Sequence, residues 1–286
     1  MKRILLASFI YILFSVSTVY PQGKGHLVII GGGDKPSYII QKIVDYAGGP
    51  ASKIIVIPNA SSDPLGSAEY NVQEFKNLGC MNVDYILFNR ADADKDSLVK
   101  KLEGATGIFF SGGDQAFLTR DMLGTKLLEK VYEIYYNGGV ISGTSAGAAV
   151  MSKLMITGNE LINKDTTDIF ISIQKNNVEV KEGFGFVKTA FIDQHFIKRK
   201  RLNRTISVVL ENPDLLGIGI DESTSIIVNP DETFEVLGEN QVIVYDASDC
   251  SNIKHDKNGN LGAENLTMHI LLSGDKFDIE NKEVIE

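Results

Sequence analysis

Ser145 stands in Gly143-Thr144-Ser145-Ala146-Gly147-Ala148, directly after the apolar pair Val140-Ile141. A serine between two glycines at this spacing, following a strand and opening a small-residue helix, reads as a nucleophile elbow. The sharp turn forces the serine into a strained backbone conformation, and the flanking glycines let neighbouring segments pass close. Its hydroxyl is then presented above a sheet with a helix start behind it, which suits acyl transfer. A serine hydroxyl is a weak nucleophile until a base takes its proton. The chain has four histidines, so elimination is informative. His26 opens a strand, His255 lies in the turn Lys254-His255-Asp256-Lys257-Asn258-Gly259, and His269 sits in the alternating run Met268-His269-Ile270-Leu271. Only His195, in Asp193-Gln194-His195-Phe196, follows a buried-looking strand end, where the sites of parallel sheets gather.

The imidazole needs a carboxylate to orient it. Asp221-Glu222 ends the apolar run 217–220; Glu222 is the choice, with Asp221 and Asp193 as rivals that spacing does not exclude. The chain order is therefore Ser, His, acid, whereas lipase-like α/β-hydrolases run Ser, acid, His. An oxyanion hole would use the Ala146 N–H and a second one from Ser111-Gly112-Gly113-Asp114-Gln115, with Gly113 the choice. Gly31-Gly32-Gly33-Asp34 lacks the G-x-G-x-x-G spacing of a dinucleotide loop and reads as a tight turn carrying Asp34 to the site. Beyond His195 lies the one dense basic cluster, Lys198-Arg199-Lys200-Arg201-Leu202-Asn203-Arg204. Arg201 and Arg204 are three apart and share a helix face; guanidinium groups there would read substrate carboxylates through paired hydrogen bonds. Asp92-Ala93-Asp94-Lys95-Asp96 begins like a calcium loop, but Ser97 stands where that loop needs glycine, so helix capping is expected.

These residues need a frame that brings distant segments together. Val/Ile-rich runs at 26–30, 53–57, 83–87, 107–110 and 139–141 alternate with helical patterns at 36–46, 69–78, 97–103 and 117–136. That alternation predicts an α/β fold with a mostly parallel, doubly wound sheet and functional loops at the strands' carboxyl ends. A strand at 190–193, a helix to about 210 and a strand at 217–221 follow. From 224 onward, short alternating runs predict antiparallel strands at the sheet edge, and 155–182 reads as a flap or long loop. No linker divides 23–286, which reads as one catalytic domain.

Composition narrows the function classes. The 286 residues are 43% hydrophobic and 23% charged, enough for one large core or two modest ones. A net charge of -9 argues against general nucleic-acid binding. Lys2 and Arg3 precede an apolar stretch at 4–14 and then Ser15, Ser17 and Thr18, the pattern of a secretory signal peptide over 1–22. The stretch is short for a membrane span, so export without a stable membrane anchor is expected. Cys80 and Cys250 carry no metal spacing and are expected as two buried thiols.

The ordered set of the elbow, Ser111-Gly112-Gly113-Asp114-Gln115, Asp193-Gln194-His195-Phe196 and Gly217-Ile218-Gly219-Ile220-Asp221-Glu222 resembles cyanophycinase. That family is a group of serine exopeptidases related to aspartyl dipeptidases, with a flavodoxin-like fold akin to class I glutamine amidotransferases. The likeness spans nearly the whole chain after the leader and includes the closing run 266–278. It implies a triad of Ser145, His195 and Glu222 and substrate contacts from Asp34, Gln115, Asp193, Arg199, Arg201 and Arg204. It implies no metal or other cofactor, and a homodimer. The implied substrate is cyanophycin, a polyaspartate carrying arginine on each β-carboxylate; the product is the β-Asp-Arg dipeptide. The leader, and the extra lysines Lys198 and Lys200, depart from the family pattern. Two other readings remain: an aspartyl or isoaspartyl dipeptidase on short peptides, and a secreted binding module with a dead site.

Overall fold

A computed structural model of the chain describes residues 25–162 and 170–286. The leader expected over 1–22 lies outside these residues. Among the described residues no helix is long and apolar enough to cross a membrane.

The first half alternates strand and helix: β1 (Leu27–Ile30), α1 (Ser37–Ala47), β2 (Ile54–Ile57), α2 (Pro64–Asn77), β3 (Val83–Tyr85), α3 (Asp96–Val99), β4 (Gly107–Phe110), α4 (Gln115–Met122), α5 (Lys126–Tyr136), β5 (Val140–Thr144) and the one-turn α6 (Ala146–Ala149). Then come β6 (Leu154–Glu160), β7 (Val178–Glu182), β8 (Ala190–Gln194), α7 (Leu202–Glu211), β9 (Leu216–Ile220), β10 (Thr224–Val228), β11 (Thr233–Gly238) and β12 (Val242–Asp246). The chain closes with β13 (Ser251–His255), β14 (Leu261–Glu264), β15 (Thr267–Leu271), β16 (Lys276–Asp278) and β17 (Glu283–Ile285).

Five strands pair in parallel in the order β3-β2-β4-β5-β1, the arrangement of a flavodoxin-like sheet with the chain's first strand in the last place. Both faces of this half are covered, and the period-2 alternation of the strands divides their side chains between two layers. Val28, Ile30, Ile54, Val56 and Phe109 meet α1 and α2 on one face. Leu27, Ile29, Ile55, Ile57, Ile108, Phe110 and Ile141 face the opposite layer with α4, α5 and α6. Each such apolar side chain contributes about 1.5–3 kcal/mol by leaving water. The helices follow the same logic. α1 buries Ile39, Ile40, Ile43, Val44 and Ala47 along one face and stops at left-handed Gly48, whose N–H bonds back to Asp45. α2 begins at Pro64, five residues before the expected start, because the Asp63 carboxylate caps the Gly66 N–H.

The second half departs from the expected edge strands in one respect. β10, β11, β16 and β17 do extend the sheet antiparallel from β1. β8 and β9, however, pair with each other in parallel and join β12 and β15 in a separate sheet of order β15-β12-β9-β8. Ile218, Val242 and Val244 of that sheet lie in the same apolar cluster as Ile29 and Ile141, so the two sheets share a core. The segment read as a flap or loop is largely a hairpin of β6 and β7 on the described side. Residues 163–169 of it lie outside the described residues. The aspartates of the calcium-like run do cap and pair: Asp94 accepts the Lys126 N–H at the start of α5, Asp92 pairs with Lys95 and Asp96 with Lys126. Cys80 is buried and Cys250 half-buried, and both thiols are free.

Candidate active site

The elbow is built by close packing. A Cβ on Gly143 would stand 2.6 Å from the Gly147 carbonyl carbon, and one on Gly147 would stand 2.8 Å from that of Phe110. Only glycine lets β5, α6 and β4 approach this closely. Ser145 turns the corner at φ 53, ψ -109, a region that L residues rarely occupy. His195, at the end of β8, also has a left-handed backbone, φ 49.

The end of β1 holds both in place. Three successive carbonyls each accept one amide from a different segment: Ile30 from Ser145 at 3.0 Å, Gly31 from His195 at 2.7 Å, and Gly32 from Ser223 at 2.9 Å. Ser223 follows Glu222 directly. The His195 ring lies against Gly32, whose φ is +108; a Cβ there would stand 2.5 Å from Nε2 and 2.8 Å from Nδ1. The triglycine run thus acts as a platform for the site rather than as a turn delivering Asp34.

On this platform the three side chains form one hydrogen-bonded chain. Ser145 Oγ lies 2.8 Å from His195 Nε2, and His195 Nδ1 lies 2.7 Å from Glu222 Oε1. An ionised carboxylate can only accept, so Nδ1 carries the proton and Nε2 presents its lone pair to the serine hydroxyl. Burial lowers the His195 pKa from 6.5; the Glu222 hydrogen bond opposes this, and Arg199 and Arg201 lower it further. The imidazole is therefore neutral at neutral pH, the form a base requires. The rival carboxylates are occupied elsewhere. Asp221 Oδ1 accepts the Ile197 and Lys198 N–H groups, and Asp193 is paired with Arg204.

Ser145 opens into a polar cavity of about 230 Å3. Gly113 and Gln115 line it from the β4–α4 turn, and Arg199, Arg201 and Arg204 from the segment after β8. Gln115 Nε2 donates to the Ile156 and Thr157 carbonyls, which ties α4 to the β6–β7 hairpin. As a first-turn amide of α6, the Ala146 N–H lacks a partner within its helix and is available to an anion. Lys198 and Lys200 are exposed and do not line the cavity.

Two residues expected as substrate contacts, Asp34 and Asp193, lie outside the cavity lining. Asp34 is exposed and outside the cavity, while Gly33 before it, at φ +68, lies against Glu222. Asp193 is wholly buried behind the arginines. It accepts from both Arg204 Nε, at 2.8 Å, and Arg204 Nη2, and from Thr205 Oγ1 at 2.7 Å. Burial alone would raise its pKa, but Arg204, Arg201 and Thr205 override that and hold the carboxyl below the usual carboxylate range. Asp193 thus fixes the arginines and does not line the cavity. Arg201 is set by its own bond from Nη1 to the Gln194 carbonyl, 2.8 Å.

Among the lining residues that the sequence reading missed, Thr157, Gly158, Asn159, Glu179 and Lys181 all lie on the hairpin. A signal was present in Val178-Glu179-Val180-Lys181. Val178 and Val180 pack into an apolar cluster with Phe191 and Val208, so Glu179 and Lys181 face the other way.

A hydroxyl–imidazole–carboxylate chain at the carboxyl edge of a doubly wound sheet is the arrangement of a serine hydrolase. The profile of peptidase family S51 matches residues 27–236. The chain belongs to that family and is a serine-type peptidase. It is 35% identical over 272 residues to a cyanophycinase of Synechococcus elongatus, covering 91% of this chain and 81% of the relative. To a cyanophycinase of Nostoc sp. it is 31% identical over 270 residues, 92% of this chain and 88% of the relative. Among solved structures, a peptidase from an acI-B1 actinobacterium superposes with a TM-score of 0.63 at 23% identity, covering 90% of this chain and 98% of that one, a likeness of fold.

Proposed function

We propose that the chain hydrolyses cyanophycin, releasing β-Asp-Arg dipeptides through an acyl-enzyme on Ser145. The observation that carries this reading is that Ser145 shares one cavity with Arg199, Arg201 and Arg204. Three guanidinium groups suit a substrate rich in carboxylates. The cyanophycinase relatives, matched over most of their length, support the same substrate.

In this reading Ser145 Oγ attacks the backbone carbonyl of an aspartyl residue while His195 Nε2 takes its proton. The Glu222 carboxylate holds the ring and offsets the charge of the imidazolium. The Ala146 and Gly113 N–H groups receive the developing oxyanion. His195 then returns the proton to the leaving amine, and a water deprotonated by His195 releases the acyl group. Incubation with purified cyanophycin and mass analysis should show the dipeptide with the native protein and none with Ser145→Ala, which should fold normally. Dipeptide release by Ser145→Ala would refute the mechanism. Cleavage of α-Asp dipeptides in place of polymer would favour the dipeptidase reading.

Export belongs to the same proposal and rests on Lys2, Arg3 and the apolar stretch at 4–14. Recovery of the full-length chain from the cytoplasm alone would overturn it. The homodimer implied by the resemblance is checked by light scattering, where a monomer at working concentration would count against it.

A further inference from the structure

We propose that Glu179 is the cation subsite of this cavity, that Lys181 is its resting counter-ion, and that the guanidinium of a substrate arginine displaces Lys181. The proposal rests on the reading of the substrate as an arginine-bearing aspartyl chain. Two acidic side chains line the cavity, Asp114 and Glu179. Asp114 is committed to capping α4, where its Oδ1 accepts the Ala116 N–H at 2.8 Å. Glu179 is held differently. Its Oε2 accepts from two neutral donors, Thr157 Oγ1 at 2.7 Å and Asn159 Nδ2 at 2.8 Å. Its Oε1 takes the Lys181 ammonium at 3.0 Å. The neutral bonds fix the carboxylate's orientation from the facing strand, and Oε1 keeps its charge for a cation.

That cation is exchangeable. The Lys181 side chain is 56% exposed, and an ion pair with so open a partner is weak. Lys181 also borders an adjoining groove formed by Ala116, Phe117, Arg120 and Glu182, which offers its ammonium another place. A guanidinium is planar, less strongly hydrated than an ammonium and able to donate two parallel bonds, so it competes well for a fixed carboxylate. The cavity is then bipolar. Its arginine wall meets substrate carboxylates, and Glu179, on the hairpin, meets the side-chain cation. Asp193 and Asp34 cannot take that part, one being sealed behind Arg204 and the other lying outside the cavity.

The test compares two soluble oligo-aspartyl peptides whose β-carboxylates carry either arginine or citrulline, its neutral isostere. The native protein should prefer arginine. Glu179→Gln should reduce that preference in kcat/KM about tenfold or more, through KM. Lys181→Gln should increase it by lowering KM for the arginine peptide. An equal loss on both peptides, or no loss on either, would overturn the proposal and leave Glu179 a strut of the hairpin. Calorimetric titration of Ser145→Ala and of Ser145→Ala with Glu179→Gln separates the two readings. If the native protein cleaves neither peptide yet the arginine peptide binds in a Glu179-dependent way, the subsite stands and the proposed reaction falls. If binding does not depend on Glu179, the subsite falls.

Discussion

Gly32→Ala should disable the site while sparing the cavity. The new Cβ would lie 2.5 Å from His195 Nε2 and 2.8 Å from Nδ1, closer than such atoms approach. Ordinary contact requires the ring to retreat by about 1 Å. His195 cannot follow as a unit, because its N–H is bonded to the Gly31 carbonyl and its neighbour Phe196 is packed against Gly219. The Ser145 Oγ to Nε2 bond of 2.8 Å and the Nδ1 to Glu222 bond of 2.7 Å would both be lost. Loss of an aligned base costs about 10²–10³-fold in kcat, or roughly 3–4 kcal/mol of transition-state stabilisation. KM should stay within a few-fold, since Arg199, Arg201 and Arg204 are untouched. Gly32 also has φ +108, which alanine tolerates at a cost of about 1–3 kcal/mol in stability. Gly49→Ala is the matched control: φ is +95 there and a Cβ would meet nothing within 4 Å. Both variants should unfold at lower temperature, and only Gly32→Ala should lose turnover and labelling by a serine-reactive fluorophosphonate. If a folded Gly32→Ala keeps kcat within about threefold of Gly49→Ala, the ring is not held as described.

Two further outcomes follow from the charges. Asp193→Asn should destabilise the protein by about 3–5 kcal/mol, because it leaves the Arg204 guanidinium buried without its counter-ion; denaturant unfolding measures this. The folded pKa of Asp193 is depressed, so the stability it contributes is present above the ordinary 3.8 and is lost as pH falls through the lower folded value. The pH profile of kcat/KM should have its acid limb below 6.5, where burial, together with Arg199 and Arg201 and against Glu222, places His195. Arg199→Gln removes one of the positive charges that disfavour the imidazolium, so the limb should move to higher pH, most at low ionic strength. A limb that stays in place would show that Arg199 does not reach His195 electrostatically.

The residues that could do chemistry were legible because their local context is written in consecutive residues. The G-x-S-x-G spacing requires a strand, a tight corner and close packing, and Gly143 and Gly147 meet their neighbours as that spacing demands. His195 and Glu222 could be chosen because each ends an apolar run, and runs of that kind become strands whose carboxyl ends converge. What misled was polarity without position. Asp34 and Asp193 look alike in sequence as acidic groups near site segments, but one points to solvent and the other is sealed under Arg204. The hairpin of β6 and β7 was hidden because its one strictly alternating run, Val178-Glu179-Val180-Lys181, is only four residues long and is preceded by a polar stretch. The separate sheet of β8 and β9 was hidden too, since a buried strand reads the same whichever sheet it joins.

The sequence by itself determined the doubly wound architecture and the elbow at Ser145, both set by short-range patterns of apolar period and glycine placement. It also singled out His195 and narrowed the carboxylate to Glu222 with Asp221 and Asp193 as rivals, a choice that the 2.7 Å contact of Glu222 with the ring then makes. Only the tertiary structure decided what holds them together. Ile30, Gly31 and Gly32 each lend one carbonyl to segments far apart in the chain, and the ring of His195 rests where Gly32 has no side chain. Backbone carbonyls belong to every residue, so no residue type marks this platform; it exists only once the strand ends have converged. The same holds for the cavity walls, where burial turned Asp193 into a support for arginines and the strand face turned Glu179 toward the cavity.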